Sequence, residues 1–411
     1  MITSLRLTAC QSLALLALLF VAILGGCSMN KGSSGPDTPR RTAQAPAQEQ
    51  PKPIIDKTEF TLPHMQAEGR TPIRVGVLLP LSGPQAAVGR TLLDSAELAI
   101  FESGRKDLML LPQDTQGTGP GAVEATMKAI GLGAEIILGP LLSEEVTAAA
   151  PVGRANNVPV IAFSSKMEVA QPGVYLLSFP PALEIQRVID HAVANGKTRI
   201  AALIPENSYG TVIEAALREA ADAHRLPLGP VEHYQSTMAG MQGPVKALAQ
   251  LGNFDAVLLA EGGSNLRTLA PLLSFSGIDL KVVKVLGTGL WDDPTVIREP
   301  SLQGGWFAAP PPDARASFAQ RYRTAYGTAA PRIASLAYDG IALVASLADA
   351  PPGKRFTPER IANPNGFVGV DGVFRFTPDG RIERALAVNE VTAAGISVVS
   401  PAPATFQGIS Q

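Results

Sequence analysis

Cysteine is nearly missing from this chain. Cys10 and Cys27 are the only two in 411 residues, and none follows position 27. That leaves no thiol pair for a disulfide in the downstream part and no cysteine-based metal site. Histidine is scarce as well: His64, His191, His224 and His233 show no metal-ligand spacing, and the last three are expected at the surface. Aromatics make up 5% of residues, too few for rows of base-stacking platforms. Lys and Arg number 34 against 36 Asp and Glu, a net charge of -2. A phosphate backbone or an anionic lipid surface recruits a basic excess that is absent here. Nucleic acid is therefore not an expected partner.

Enzyme signatures are also missing. Gly287-Thr288-Gly289 has Asp292 where a dinucleotide-binding fingerprint needs its third glycine. Gly196-Lys197-Thr198 resembles the end of a phosphate loop. However, His191 stands at the first-glycine position, and the stretch precedes a strand instead of following one. There is no Gly-x-Ser-x-Gly nucleophile elbow. The expectation is a non-catalytic protein without metal or cofactor.

What is present begins with a targeting pattern. Arg6 is the sole charge before an apolar run from Leu13 to Gly26, about 14 residues where a membrane span needs about 20. The run ends in Leu24-Gly25-Gly26-Cys27, which resembles the bacterial lipobox, so residues 1–26 read as a lipoprotein signal peptide and Cys27 as the lipidated residue. An ordinary signal peptide with a chance cysteine and an uncleaved anchor are the alternatives. Ser28 follows Cys27, where an Asp would resemble the inner-membrane retention signal, so the lipobox reading implies the outer membrane of a Gram-negative cell. Residues 27–72 form a tether rich in Pro, Gln, Ser and Gly that cannot bury enough apolar surface to order itself. Such a chain reaches roughly 35–40 Å.

From Ile73 onward apolar runs alternate with helical patterns. Ten strands are expected, beginning with 73–79, 108–112, 135–139, 158–163 and 174–178. The others are 199–205, 231–235, 255–260, 281–287 and 305–309. Several are continuously apolar, as strands covered on both faces are. Helical stretches such as 210–225 carry apolar residues on one face and charges opposite. This alternation predicts doubly wound parallel sheets with right-handed crossovers. Ten strands exceed one comfortable sheet, so two lobes are expected, the first ending near Ser178 and the second beginning near Arg199. A helical stretch, 316–350, follows. Residues 369–391 read as a hairpin turning at Pro378-Asp379-Gly380.

In open α/β sheets ligands bind beyond the carboxyl ends of the strands. In the first lobe those ends carry Ser82-Gly83, then Gly139-Pro140-Leu141-Leu142-Ser143, then Ser164-Ser165. Each leads into a predicted helix, where hydroxyls and free N–H groups suit an anion; the alternative is plain helix capping. In the second lobe the ends carry Glu206 to Gly210, Glu261 to Ser264 and Gly287 to Asp293. There Glu206, Glu261 and Asp292 are candidates for an ammonium, and Tyr209 or Trp291 for covering an apolar group. Solvated loop acids and a packed aromatic are the alternative.

Taken together, "IRVGVLLPLSGPQAAVGRTLLDSAELAI", "GAEIILGPLLSEEV", "NVPVIAFSS", "IPENSYG" and "GVDGVFRFTPDGRIER" resemble the type I periplasmic solute-binding fold of the Leu/Ile/Val-binding proteins, over about Ile73 to Val391. The resemblance implies two doubly wound parallel-sheet lobes joined by a hinge. It divides the chain into lobe 1 (73–190 plus 313–350) and lobe 2 (191–312 plus 351–399), with 400–411 as a tail. It implies an amino-acid-like ligand. Its carboxylate would be held at positions matching Ser143, Ser164 and Ser165. Its other end would be held at Tyr209 and an acid of the 287–293 loop. Here that loop reads Gly-Thr-Gly-Leu-Trp-Asp and departs from the family pattern. The resemblance makes an ABC importer permease the expected partner. A second resemblance competes. "LLPLSGP", "GPLLSEEV" and Asp114-Thr115 are similar to the lipoprotein activators of penicillin-binding proteins, for which a penicillin-binding protein would be the partner in peptidoglycan synthesis. Membrane attachment, in either case, is expected through acylated Cys27.

Overall fold

The computed structural model describes residues 71–406. The expected signal peptide, the lipidation site Cys27, nearly all of the tether and residues 407–411 lie outside the described residues.

The first sheet has five parallel strands in the order β2-β1-β3-β4-β5. They are β1 (Ile73–Leu79), β2 (Leu108–Asp114), β3 (Ile136–Leu138), β4 (Val160–Ala162) and β5 (Val174–Leu176). Helices α1 (Ala86–Ser103), α2 (Gly119–Gly131) and α3 (Ser143–Ala155) connect them. Strands β1, β3, β4 and β5 are buried at nearly every position, which is why their sequences read as unbroken apolar runs. Helix α1 buries Leu92, Ala96 and Ala99 against Val75 and Val77 and ends on left-handed Gly104.

The second sheet has seven strands in the order β15-β14-β10-β9-β8-β6-β7. Five are parallel: β6 (Ile200–Pro205), β7 (Leu228–Tyr234), β8 (Ala256–Leu259), β9 (Lys284–Gly287) and β10 (Trp306–Ala309). All ten expected strands are present. Around them run α4 (Pro181–Ala194), α5 (Ser208–Ala223), α6 (Met238–Leu251), α7 (Gly263–Phe275) and the single-turn α8 (Pro294–Ile297). The expected helical stretch 316–350 is two helices, α9 (Pro312–Tyr326) and α10 (Ala334–Leu347). Gly327 ends the first in a left-handed conformation, and Pro331, which has no N–H to donate, stands in the gap. A short α11 (Pro358–Ile361) precedes a small antiparallel sheet, β11 (Phe367–Gly369), β12 (Gly372–Phe376) and β13 (Ile382–Arg384). The chain ends in β14 (Ala387–Thr392) and β15 (Gly395–Ser400), which pair antiparallel on the edge of the second sheet.

Two expected lobe boundaries differ from the packing. Residues 181–190 were expected in lobe 1. Instead Ile185, Val188 and Ile189 of α4 share a core with Ile200, Ile204 and Leu286 of the second sheet. Residues 351–386 were expected in lobe 2. Instead Phe356, Ile361, Phe374, Phe376 and Ile382 share a core with Val75 and Leu92 of the first lobe. The β12–β13 turn fixes them there, because Leu176 N–H donates to Gly380 O at 2.9 Å. A Cβ at Gly380 would lie 2.0 Å from Val174 O, so the turn can approach that edge only with glycine. The expected hairpin over 369–391 is therefore β12–β13 alone, and the chain crosses to the second sheet before β14.

The crossings set the orientation of the lobes. Four residues, 177–180, join the carboxyl end of β5 to α4 in the second lobe. Two residues, 310–311, join the carboxyl end of β10 to α9, whose Phe318 and Tyr322 pack with Leu98 of the first lobe. Links this short span at most about 15 Å. Each sheet therefore turns its carboxyl edge towards the other lobe, and the space between their loop tips is the candidate cleft.

Candidate functional site

The first-lobe wall of the cleft is built by two carboxylates. Asp114, at the end of β2, accepts hydrogen bonds from the N–H groups of Leu81 (2.9 Å), Ser82 (3.2 Å) and Gln116 (2.8 Å). Burial raises its pKa, but the Ser82 hydroxyl and these N–H groups outweigh that and leave it below the ordinary value. The Ser82 N–H, expected free for a ligand, is thus committed within the lobe. Gly83 is exposed at φ 75° and its carbonyl accepts from Ala86 N–H, closing the turn into α1. The turn that follows β1 thus folds back over Asp114.

The second carboxylate is Glu145, which is fully buried in the first turn of α3. It accepts the Leu142 N–H at 2.8 Å and a hydrogen bond from the Thr115 hydroxyl. Burial pushes its pKa up, against those hydrogen bonds and one from Leu141 N–H. The loop before it turns at Gly139 (φ 90°), where a Cβ would lie 2.0 Å from Leu78 O. This brings Ser143, half-buried, to the start of α3. The start of α3 is closed from within, because Glu145 takes up the N-cap N–H of Leu142 and Glu144 stands beside it in the first turn. At the β4 tip Ser164 is buried and its Oγ accepts from Lys166 N–H at 3.2 Å, whereas Ser165 is exposed.

On the second-lobe wall the expected residues divide. Asn207 caps α5 through Gly210 N–H at 2.9 Å. That places Tyr209, whose hydroxyl lies 2.9 Å from the Thr288 hydroxyl. Burial, reinforced by the nearby Glu184 charge, raises the phenol's pKa well above its ordinary value. Glu261 is half-buried and accepts from Tyr234 and Ser236 hydroxyls, both at 3.1 Å, and from Gly262 N–H at 3.2 Å. Glu206, at the β6 tip, is exposed.

Trp291 does not reach the cleft. It is 0% exposed, seated over Gly287 and Gly305, where Cβ atoms would fall 2.1 and 2.9 Å from its ring. Its ring centroid is 6.0 Å from that of Phe307. The expectation that it covers a ligand is corrected: it fills the second-lobe core. Asp292 is at the cleft, but Arg315 of α9 pairs with it at 2.6 Å from the first lobe.

Two residues of the cleft floor were missed by sequence reading. Glu184 of α4 accepts Gly289 N–H at 2.8 Å and pairs with Arg332, just before α10, at 2.8 Å. Glu184 had a signal, being a carboxylate on the apolar stripe of Ile185, Val188 and Ala192. Arg332, next to a proline in a loop, had none. Among the described residues no cluster of three or more His, Cys, Asp or Glu could hold a metal ion. No helix among them is long and apolar enough to cross a membrane.

A family model described as periplasmic binding protein matches residues 72–395. Among solved structures, an ABC transporter substrate-binding protein from Sphaerobacter thermophilus is 19% identical, with 81% of this chain and 98% of that one covered and a TM-score of 0.67. A solute-binding protein of an ABC transporter from Rhodopseudomonas palustris, in complex with 3,4-dihydroxybenzoic acid, is 20% identical (80% and 96% covered, TM-score 0.61). The branched-chain amino acid transporter substrate-binding protein of Streptococcus pneumoniae, in complex with isoleucine, is 19% identical (80% and 100% covered, TM-score 0.58). At these identities the likeness is one of fold. An uncharacterized protein of Rickettsia prowazekii is 21% identical over 223 residues, and the match spans 52% of this chain and 59% of that protein. The chain thus spans less than two thirds of that curated relative.

Proposed function

The chain belongs to the periplasmic binding protein family, and on that premise we propose that it is the ligand receptor of an ABC-type uptake system, closing its lobes on a small amino-acid-like ligand. Relatives of this family work with ABC transporters, are non-catalytic, and act in the periplasm. The observation that carries the reading is the set of hydroxyls at the loop tips, with half-buried Ser143 at the start of α3 in the first lobe and the paired Tyr209 and Thr288 hydroxyls in the second. Hydroxyl donors suit a carboxylate, and isoleucine and 3,4-dihydroxybenzoic acid, the ligands of two solved relatives, both carry one. Ser82, Gly83, Ser164 and Ser165 line the same wall, with Glu261 and Asp292 opposite. The solved relatives are ABC-transporter proteins, which favours this reading over a synthase activator.

Thermal unfolding with leucine, isoleucine and benzoate tests the proposal. A ligand at about 100 times its Kd adds about 2.7 kcal/mol of stability. Failure of every carboxylate tried at millimolar concentration to raise the midpoint would sink it. Anchoring through Cys27, at the outer membrane, is part of the same proposal. Cys27→Ser should move the protein from the membrane to the soluble fraction, and an unchanged distribution would refute the anchor.

A further inference from the structure

Four charged side chains, Glu184, Asp339, Asp371 and Arg384, are buried where the chain crosses between the lobes, and a fifth, Arg332, is half-buried beside them. Arg384, the last residue of β13, donates its Nε to Ser178 O at 2.7 Å. Its guanidinium stands over the rings of Phe179 (4.6 Å) and Phe374 (5.3 Å). Arg332 lies over Phe179 as well, at 4.4 Å, and reaches Glu184. Asp339 of α10 is 1% exposed; its Oδ1 accepts Val370 N–H at 2.6 Å, and its Oδ2 sits directly against Gly369, where a Cβ would be 2.4 Å away. Asp371 is 0% exposed and accepts from the Ser335 hydroxyl. The cluster is not fully paired. Asp339 Oδ2, Asp371 Oδ1, both Arg384 Nη atoms, Arg332 Nε and Ser178 Oγ are buried without a hydrogen-bond partner. Two carboxylates with unfilled oxygens compete for the same cations, an arrangement that favours a proton on one of them.

The charges divide unevenly between the lobes. Arg332, Arg384, Asp339 and Asp371 belong to the first lobe, and Glu184 alone to the second. With both aspartates ionised the first-lobe group sums to zero. With one protonated it carries a single positive charge, facing Glu184. Charges on neighbouring elements are otherwise engaged: Glu102 of α1 by Arg321 and Tyr338, and Arg315 of α9 by Asp292. Tyr209 of α5 stays neutral because burial raises its pKa.

We propose that Asp339 is a proton-operated control on the pairing of the lobes: protonated, it leaves the first-lobe cluster positive and holds Glu184; ionised, it cancels that charge and loosens the second lobe. Burial, then the neighbouring Asp371 charge, push the Asp339 carboxyl from 3.8 to about 7 against the pull of Arg384. The control would therefore act near neutrality. It requires no ligand and stands whether or not the receptor reading holds.

Small-angle X-ray scattering of the full chain without ligand, from about pH 5.5 to about pH 8.5, tests it. The radius of gyration is expected to rise with pH through a midpoint near neutrality. Asp339→Asn should keep the low-pH value throughout, and Glu184→Gln should keep the high-pH value throughout. Asp371→Asn, which removes the neighbouring charge, should move the midpoint down by about one unit. A wild-type radius that does not change over this range overturns the proposal, as does an undiminished response in Asp339→Asn. Should Asp339→Asn fail to fold, an unmoved midpoint in Asp371→Asn overturns it equally.

Discussion

Gly289 lies directly beneath the Arg332 guanidinium: a Cβ at position 289 would stand 2.2 Å from Arg332 Nη1 and 2.6 Å from Glu184 Oε1. The second-lobe loop thus gives up a side chain so that a cation from the first lobe can reach Glu184. Gly289→Ala should push Arg332 off its partner and cost about 1–3 kcal/mol by overpacking. Denaturant unfolding would read this as a lowered midpoint at unchanged slope, and an unchanged midpoint would show that Arg332 moves aside freely.

Ser143 tests the other wall. If its hydroxyl meets a buried carboxylate, Ser143→Ala should weaken binding of a carboxylate ligand by about 1–3 kcal/mol, with little change in unfolding midpoint without ligand. Calorimetric titration separates the two. Unchanged affinity would return Ser143 to a purely local role at the start of α3.

Trp291 should behave as a core residue. Trp291→Ala empties the slot over Gly287 and Gly305 and is expected to cost about 3–5 kcal/mol. Wild-type Trp291 emission should be blue-shifted and should stay constant when ligand is added. A ligand-dependent shift, resolved with Trp306→Phe to remove the other indole, would place Trp291 at the cleft after all.

Asp339 makes a pH prediction of definite sign. Its folded pKa is raised from 3.8 to about 7, so the native state binds more protons than the unfolded chain between those values. Stability should fall as pH rises from about 4 to about 7 and level off above. Asp339→Asn should flatten that slope, on the order of a few kcal/mol across the window. Urea unfolding at several pH values checks it, and a slope equal to wild type would contradict the assignment.

The parallel strands were legible because full burial leaves an unbroken apolar run, as in "IAALIP" of β6. Positions along the chain were legible too, since Ser143, Tyr209 and Glu261 do stand just past β3, β6 and β8. The α4 helix shows why the rest was not. Its apolar stripe of Ile185, Val188 and Ala192 reads the same against either sheet, and only packing with Ile200 and Leu286 assigns it to the second lobe. Likewise nothing local says that Phe374 and Phe376 serve the first core.

By itself the sequence determined the ten parallel strands, the two-lobed division and the family, because burial and backbone periodicity are local properties written into neighbouring residues. Only the tertiary structure decided which lobe holds 181–190 and 351–386, that Trp291 is interior, and that Arg315 and Arg332 meet Asp292 and Glu184. Those outcomes depend on distances between residues far apart in the chain, and a charge or an aromatic ring carries no local mark of the partner it will find.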